Sequence, residues 1–266
     1  MGTKIIEIKR PKLRNPVFIE GLPGVGNVGR IAAGFLIEEL KAKKIAELWS
    51  SSFLPIVLVH KEANAHLIKG EFFFWKAKKR GQRDLIILIG DSQSSEPSGH
   101  YEICTEILNF LKKFKTKEMI TLAGLSIGEK VERPKVYGVV NDESLIGKYR
   151  KYGIIFDPDR VGTIIGASGL LIGLGKYYGM KGICLLGETI GYPILPDPKS
   201  AKAVLSILTK ILNLKLNLEK LDERVKEMED FLRRLREVET KAIAQFLKGL
   251  YPPRVKPKEE KPTYIA

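Results

Sequence analysis

The chain is poor in the residues that bind metals. Its 266 residues include only 2 cysteines and 3 histidines. Cys104 and Cys184 are far apart and lack metal-ligand spacing. Cys184 sits in the apolar run Gly182-Ile-Cys-Leu-Leu186, which reads as a buried strand, so both thiols are expected to be inert core residues. His60, His66 and His100 form no His-x-His or His-x-x-x-His pair. Neither a metal nor a cofactor is expected. No apolar run reaches the roughly 18–20 residues that span a bilayer. The opening Met-Gly-Thr-Lys-Ile-Ile-Glu-Ile alternates like a strand and lacks the apolar stretch of a secretory leader. Ile6 stands where a myristoylation signal wants Ser or Thr. The expectation is a cytoplasmic protein without membrane contact. Two enzymatic signatures are also missing: there is no Gly-x-Ser-x-Gly elbow, and no Gly-Lys-Ser/Thr follows a glycine loop.

Charge is abundant, at 29% of residues with a net +14. A basic balance permits nucleic-acid binding. The basic residues, however, are spread along the chain and interleaved with Glu. The clusters at 76–80 and 112–115 read as a hairpin turn and a helix end. No zinc-finger spacing or RNA-recognition aromatic signature accompanies them, so nucleic acid is not expected as the partner.

Short β-branched runs alternate with helical periods. Strands are expected over 5–8, 16–20, 56–60, 70–76, 84–89, 118–123, 135–140 and 182–187, with a hairpin near the sheet edge around 67–76. The run Asp84-Leu-Ile-Ile-Leu-Ile-Gly90 suits a strand covered on both faces. Helices are expected over 27–40, 101–114, 168–178 and 198–214. The third is small and apolar all round, which suggests full burial, and it stops at Gly179. The fourth has Asp197 as N-cap and Pro198 at its first position. This alternation argues for a three-layer α/β domain with a mixed or mostly parallel sheet, spanning residues 1–216.

From Leu218 the pattern changes. Leu218, Leu221, Val225, Met228, Leu232 and Leu235 step by three and four, giving an amphipathic C-terminal helix over 217–249. It packs either on its own domain or on a partner subunit. Residues 250–266 form a flexible arm whose four prolines forbid regular structure. The arm closes on an apolar-aromatic tip, Tyr264-Ile265-Ala266, which a purely solvating tail would not need.

Gly24-Val-Gly26-Asn-Val-Gly29 is a Gly-x-Gly-x-x-Gly between a strand and a helix. Two readings stand side by side. In one, Gly24, Gly26 and Gly29 let a phosphate approach the helix N-terminus, with Glu47 placed as a ribose-binding acid. In the other, Gly21, Gly24, Gly26 and Gly29 allow a tight turn and close helix–sheet packing. Gly162-Thr-Ile-Ile-Gly-Ala-Ser-Gly169 offers the same pair of readings. Asp91, Ser92, Gln93, Glu188 and Thr189 follow strands where α/β ligand sites often lie, yet their spacing assigns none of them a catalytic role.

These glycine segments carry a resemblance. Glu20-Gly-Leu-Pro-Gly-Val-Gly-Asn-Val-Gly29, Ile89-Gly-Asp-Ser-Gln93 with Gly99-His-Tyr101, Gly169-Leu-Leu-Ile-Gly173 with Gly179-Met-Lys-Gly-Ile-Cys-Leu-Leu-Gly-Glu-Thr-Ile-Gly191, and Asp197-Pro-Lys-Ser-Ala201 resemble, in order, the proteasome assembly chaperone family. The resemblance implies a fold similar to nucleoside phosphorylases without their catalytic residues. It implies a non-enzymatic homo-oligomer, a ring or a tetramer or pentamer, of archaeal type. It also implies C-terminal segments that bind a second family subunit or the 20S proteasome, here through Tyr264, Ile265 and Ala266. The family's proteasome key is a hydrophobic residue, a tyrosine and any residue; here Tyr264 stands third from the end, one place early, after Thr263. Some relatives carry an ATP-grasp-like label. The alternative reading is therefore a nucleotide-binding enzyme of ATP-grasp-like or dinucleotide-binding type using the Gly21–Gly29 loop.

Overall fold

Strands that are apolar on both faces form the middle of the molecule, because only burial from two sides satisfies them. In the computed structural model, residues 2–59, 63–129, 131–191, 195–223 and 225–226 are described. The chain divides into two compact units, Met1–Val225 and Lys226–Ala266. Most of the expected C-terminal helix and the whole arm, Tyr264, Ile265 and Ala266 included, lie outside the described residues.

The first unit runs β1 (Lys4–Glu7), β2 (Val17–Gly21), α1 (Val28–Leu40), β3 (Lys43–Trp49), β4 (Val57–Val59), β5 (Ala65–Leu67), β6 (Gly70–Trp75) and β7 (Leu85–Gly90). It continues with α2 (Pro97–Lys112), β8 (Glu118–Ser126), β9 (Val136–Val140), α3 (Ser144–Arg150), α4 (Pro158–Val161), α5 (Ala167–Tyr177), β10 (Lys181–Thr189) and α6 (Pro198–Ile211). Eight strands form one sheet in the order β1-β3-β6-β7-β2-β8-β10-β9. The central four, β7-β2-β8-β10, are parallel. The strands outside them pair antiparallel.

Strand alternation divides the core in two. Val17, Ile19, Leu85, Ile87, Ile120, Leu122, Ile183 and Leu185 face the side covered by α1 and α6. Phe18, Ile86, Leu88, Met119, Cys184 and Leu186 face the side covered by α2 and α5. The result is a mixed sheet between two helical layers, as the alternation of elements predicts. Both cysteines are fully buried, as expected. Asp197 caps α6, its Oδ1 accepting from the Ser200 N–H at 2.9 Å.

Several elements differ from the sequence reading. Lys43–Trp49 is a strand that its charged residues conceal: Glu47 accepts from Lys44 and Lys69, each at 2.6 Å, and Lys44 also reaches Glu71 at 2.9 Å. The hairpin expected near the sheet edge is β4 with β5, a separate two-stranded ribbon, while β6 lies inside the main sheet. Helix α5 buries one face only, because Gly173 and Tyr177 point to solvent. Helix α2 begins at Pro97, four residues earlier than its apolar period suggests.

Candidate functional site

The glycine loops and the polar residues that follow the central strands gather at the carboxyl ends of β2, β7, β8 and β10, where an open α/β sheet offers its crevice. In the loop after β2, Gly26 has φ 61° and Asn27 has φ 49°, two left-handed residues in succession that turn the chain sharply into α1. Gly29 then lets the first turn of α1 lie directly on the sheet, since a Cβ there would fall 2.2 Å from the Leu122 carbonyl oxygen. The glycines thus serve the turn and the helix–sheet contact. The loop is fixed at both ends: Asn27 N–H donates to Gly24 O at 2.9 Å, and Asp197 N–H to Gly26 O at 2.7 Å.

Gln93 joins the two glycine-rich segments. Its Nε2 donates to the Pro23 carbonyl, and its Oε1 accepts from the Ala167 N–H at 2.9 Å, capping the start of α5. Asp91 accepts from Arg30 at 3.3 Å and from the Lys69 N–H at 3.2 Å. Glu188 accepts from the Tyr137 hydroxyl at 3.1 Å and the Lys135 N–H at 3.0 Å. Thr189 is buried against the loop, its Oγ1 without a partner among the described residues and only 2.9 Å from where a Cβ on Gly26 would sit. Each of these residues ties a loop to the sheet or packs against one.

The dinucleotide reading does not find its geometry. The strand after α1 is not a neighbour of β2, which lies between β7 and β8. Glu47 belongs to the ion-pair cluster on β3 and β6, its carboxyl held below the usual range by the Lys44 and Lys69 ammonium groups.

Glu20 opens the first glycine motif, and spacing alone gives it no role. It lies near the end of β2 and is fully buried among Ser168, Thr121 and Leu22. Its Oε1 accepts from the Leu22 N–H at 2.8 Å, and its Oε2 has no partner among the described residues. Burial pushes its carboxyl up to about 7, while the hydrogen bond from the Leu22 N–H pulls the other way. An acid directly after the apolar Val17-Phe-Ile19 is the sequence signal that marks it. Burial also pushes the Cys184 thiol up to about 12 and the Cys104 thiol higher still. Among the described residues, no group of three or more His, Cys, Asp or Glu side chains gathers to hold a metal, and no helix is long and apolar enough to cross a membrane.

Comparison with known proteins places this architecture. The PAC2 family matches residues 18–236. An uncharacterized protein of Methanocaldococcus jannaschii is 37% identical over 231 residues, 87% of each chain. The crystal structure of Pyrococcus furiosus PbaB, described as an archaeal proteasome activator, superposes with a TM-score of 0.84 at 45% identity, covering 88% of this chain and 99% of that one. Pyrococcus furiosus PbaA, described as an archaeal homolog of proteasome-assembly chaperone, gives a TM-score of 0.73 at 32% identity, covering 94% and 98%. With sequence motifs, mixed sheet and relatives in agreement, the chain belongs to the PAC2 family of proteasome-assembly-chaperone-like proteins.

Proposed function

We propose that this protein is a non-catalytic cytoplasmic scaffold. It is a homo-oligomer whose arms, residues 250–266, hold a partner protein: a second subunit of the family or the 20S proteasome. Its α/β body is of the nucleoside-phosphorylase kind turned to scaffolding, and the helix over 217–249 links body to arm.

The observation that carries this reading is the closed crevice. Two of the N–H groups a phosphate would use are engaged within the chain: that of Ala167 by Gln93, and that of Asn27 by the Gly24 carbonyl. Asp91 and Glu188 act as clamps. The likeness to PbaB, at 45% identity, supports a proteasome-related partner. Uncovered apolar side chains support association between copies: Val57, Val59 and Leu67 on the β4–β5 ribbon, and Tyr177 on α5. In the arm, Pro252, Pro253, Pro257 and Pro262 stiffen the spacer, and Tyr264 and Ile265 are the anchors. Several arms on one oligomer raise the effective concentration, so weak single contacts suffice.

Deletion of residues 264–266 tests the reading. Light scattering should show an unchanged oligomer, while capture of purified 20S proteasome or of a co-expressed family subunit should be lost. Unchanged capture overturns the role of the arm. A nucleotide-dependent rise in Tm that disappears in Gly26→Val would overturn the non-catalytic assignment.

A further inference from the structure

A second surface lies far from the crevice. The hairpin between β6 and β7 and the segment that follows α6 enclose a cavity of about 260 Å³. Its floor is apolar, made by Leu40, Trp75, Leu214 and Leu216. Its rim carries four exposed cations, Lys78, Lys79, Arg80 and Lys215. None of the four makes an ion pair with another described residue. The one acid in the lining, Glu39, is already bonded to Lys220 at 2.6 Å.

The walls are held in place. The Lys78 and Lys79 N–H groups donate to Gln82 Oε1 at 3.2 and 3.1 Å, and Gln82 Nε2 donates to the Asn213 carbonyl at 3.1 Å, joining the two sides. Asp84 Oδ1 accepts from the Ala77 N–H at 2.9 Å and pins the base of the hairpin. Trp75 is buried, and its Nε1 has no acceptor among the described residues. A buried indole N–H without a partner is uncommon, because leaving a donor unsatisfied is costly.

We infer that this groove docks an acidic peptide segment of a partner protein, with an apolar side chain of that segment on the Leu40–Trp75–Leu214 floor and its carboxylates at the four-cation rim. Charge complementarity selects the occupant: four uncompensated cations around an apolar pocket match carboxylates that flank a hydrophobic side chain. A duplex offers phosphates to the rim but nothing to the floor. None of the lining residues falls within 264–266, so deleting those residues removes no part of the groove.

The test is fluorescence anisotropy of the full-length protein at low salt. The probe is a labelled short peptide of Glu, Asp and Leu, with a Gln/Asn/Leu peptide and a labelled DNA duplex as controls. The acidic peptide should bind, and the amide peptide should not. Reversing Lys79→Glu together with Arg80→Glu should weaken binding at least about tenfold. Reversing the exposed Arg133 and Lys176 to Glu changes net charge equally and should weaken it far less. Circular dichroism checks that each variant is folded. Equal loss in the two double reversals overturns the proposal, as does a duplex that binds when the peptide does not. Peptide binding that emerges only after deletion of residues 250–266 also overturns it, in favour of this chain's own arm as the occupant.

Discussion

Glu20 and Thr121 stand side by side in the parallel register of β2 and β8, yet the Thr121 hydroxyl donates to the Ser168 carbonyl at 2.9 Å and leaves Glu20 Oε2 without a partner among the described residues. A buried carboxyl bonded at one oxygen is easier to hold neutral than charged.

The first prediction concerns pH. Folded Glu20 titrates near 7, against an ordinary value of 4.5. Between those values the folded chain keeps a proton that the unfolded chain has released. This group therefore opposes folding increasingly as pH rises from about 4.5, and fully above about 7, by about 3 kcal/mol. Urea unfolding at pH 5 and pH 8 should show that loss in the native protein and a flatter profile in Glu20→Gln. Parallel profiles would mean that Glu20 is not titrating in the core.

The second prediction sets two glycines of one helix against each other. At Gly29 a Cβ meets the Leu122 carbonyl, a backbone atom that has no room to yield, so Gly29→Ala should destabilise by about 3 kcal/mol or more. Gly34 lies in the same helix with nothing within 4 Å of where a Cβ would sit, so Gly34→Ala should stabilise by about 0.5–1 kcal/mol. Thermal unfolding of the two variants reads opposite signs of Tm shift.

The third prediction isolates the Gln93 link. Gln93→Leu removes the bonds to Pro23 and Ala167 together and should cost about 1–3 kcal/mol. Hydrogen exchange at the Ala167 amide should accelerate, because that N–H loses its acceptor. Unchanged protection would mean that another group caps α5.

The fourth prediction is chemical. Cys104 and Cys184 are fully buried and their thiols are held far from ionisation. A thiol reagent at neutral pH should label neither residue in the native protein and both in denaturant.

The sequence made the central strands and their helices readable because their signals are local. Leu85–Gly90 is a continuous apolar run, and Asp197-Pro198 announces a helix start. β3 was hidden because Lys44 and Glu47 look solvent-facing until β6 brings Lys69 and Glu71 beside them. The clamps at the crevice are just as remote: Gln93 acts on residues 70 and 74 positions away. The glycine loop was legible as a turn, but its partners were not. Whether it faced a phosphate or the Leu122 carbonyl depended on which strand lay beneath α1.

The strand order has a consequence for synthesis on the ribosome. β2 lies at the middle of the sheet, yet its neighbours β7 and β8 begin at Leu85 and Glu118. A nascent chain that has exposed only its first residues, up to about position 80, holds the central strand with neither neighbour made, and pairing across such separations is slow. The emerging chain therefore carries Val17-Phe-Ile19 with neither neighbour until β7 is made, and with one edge still unpaired until translation has passed α2 and β8.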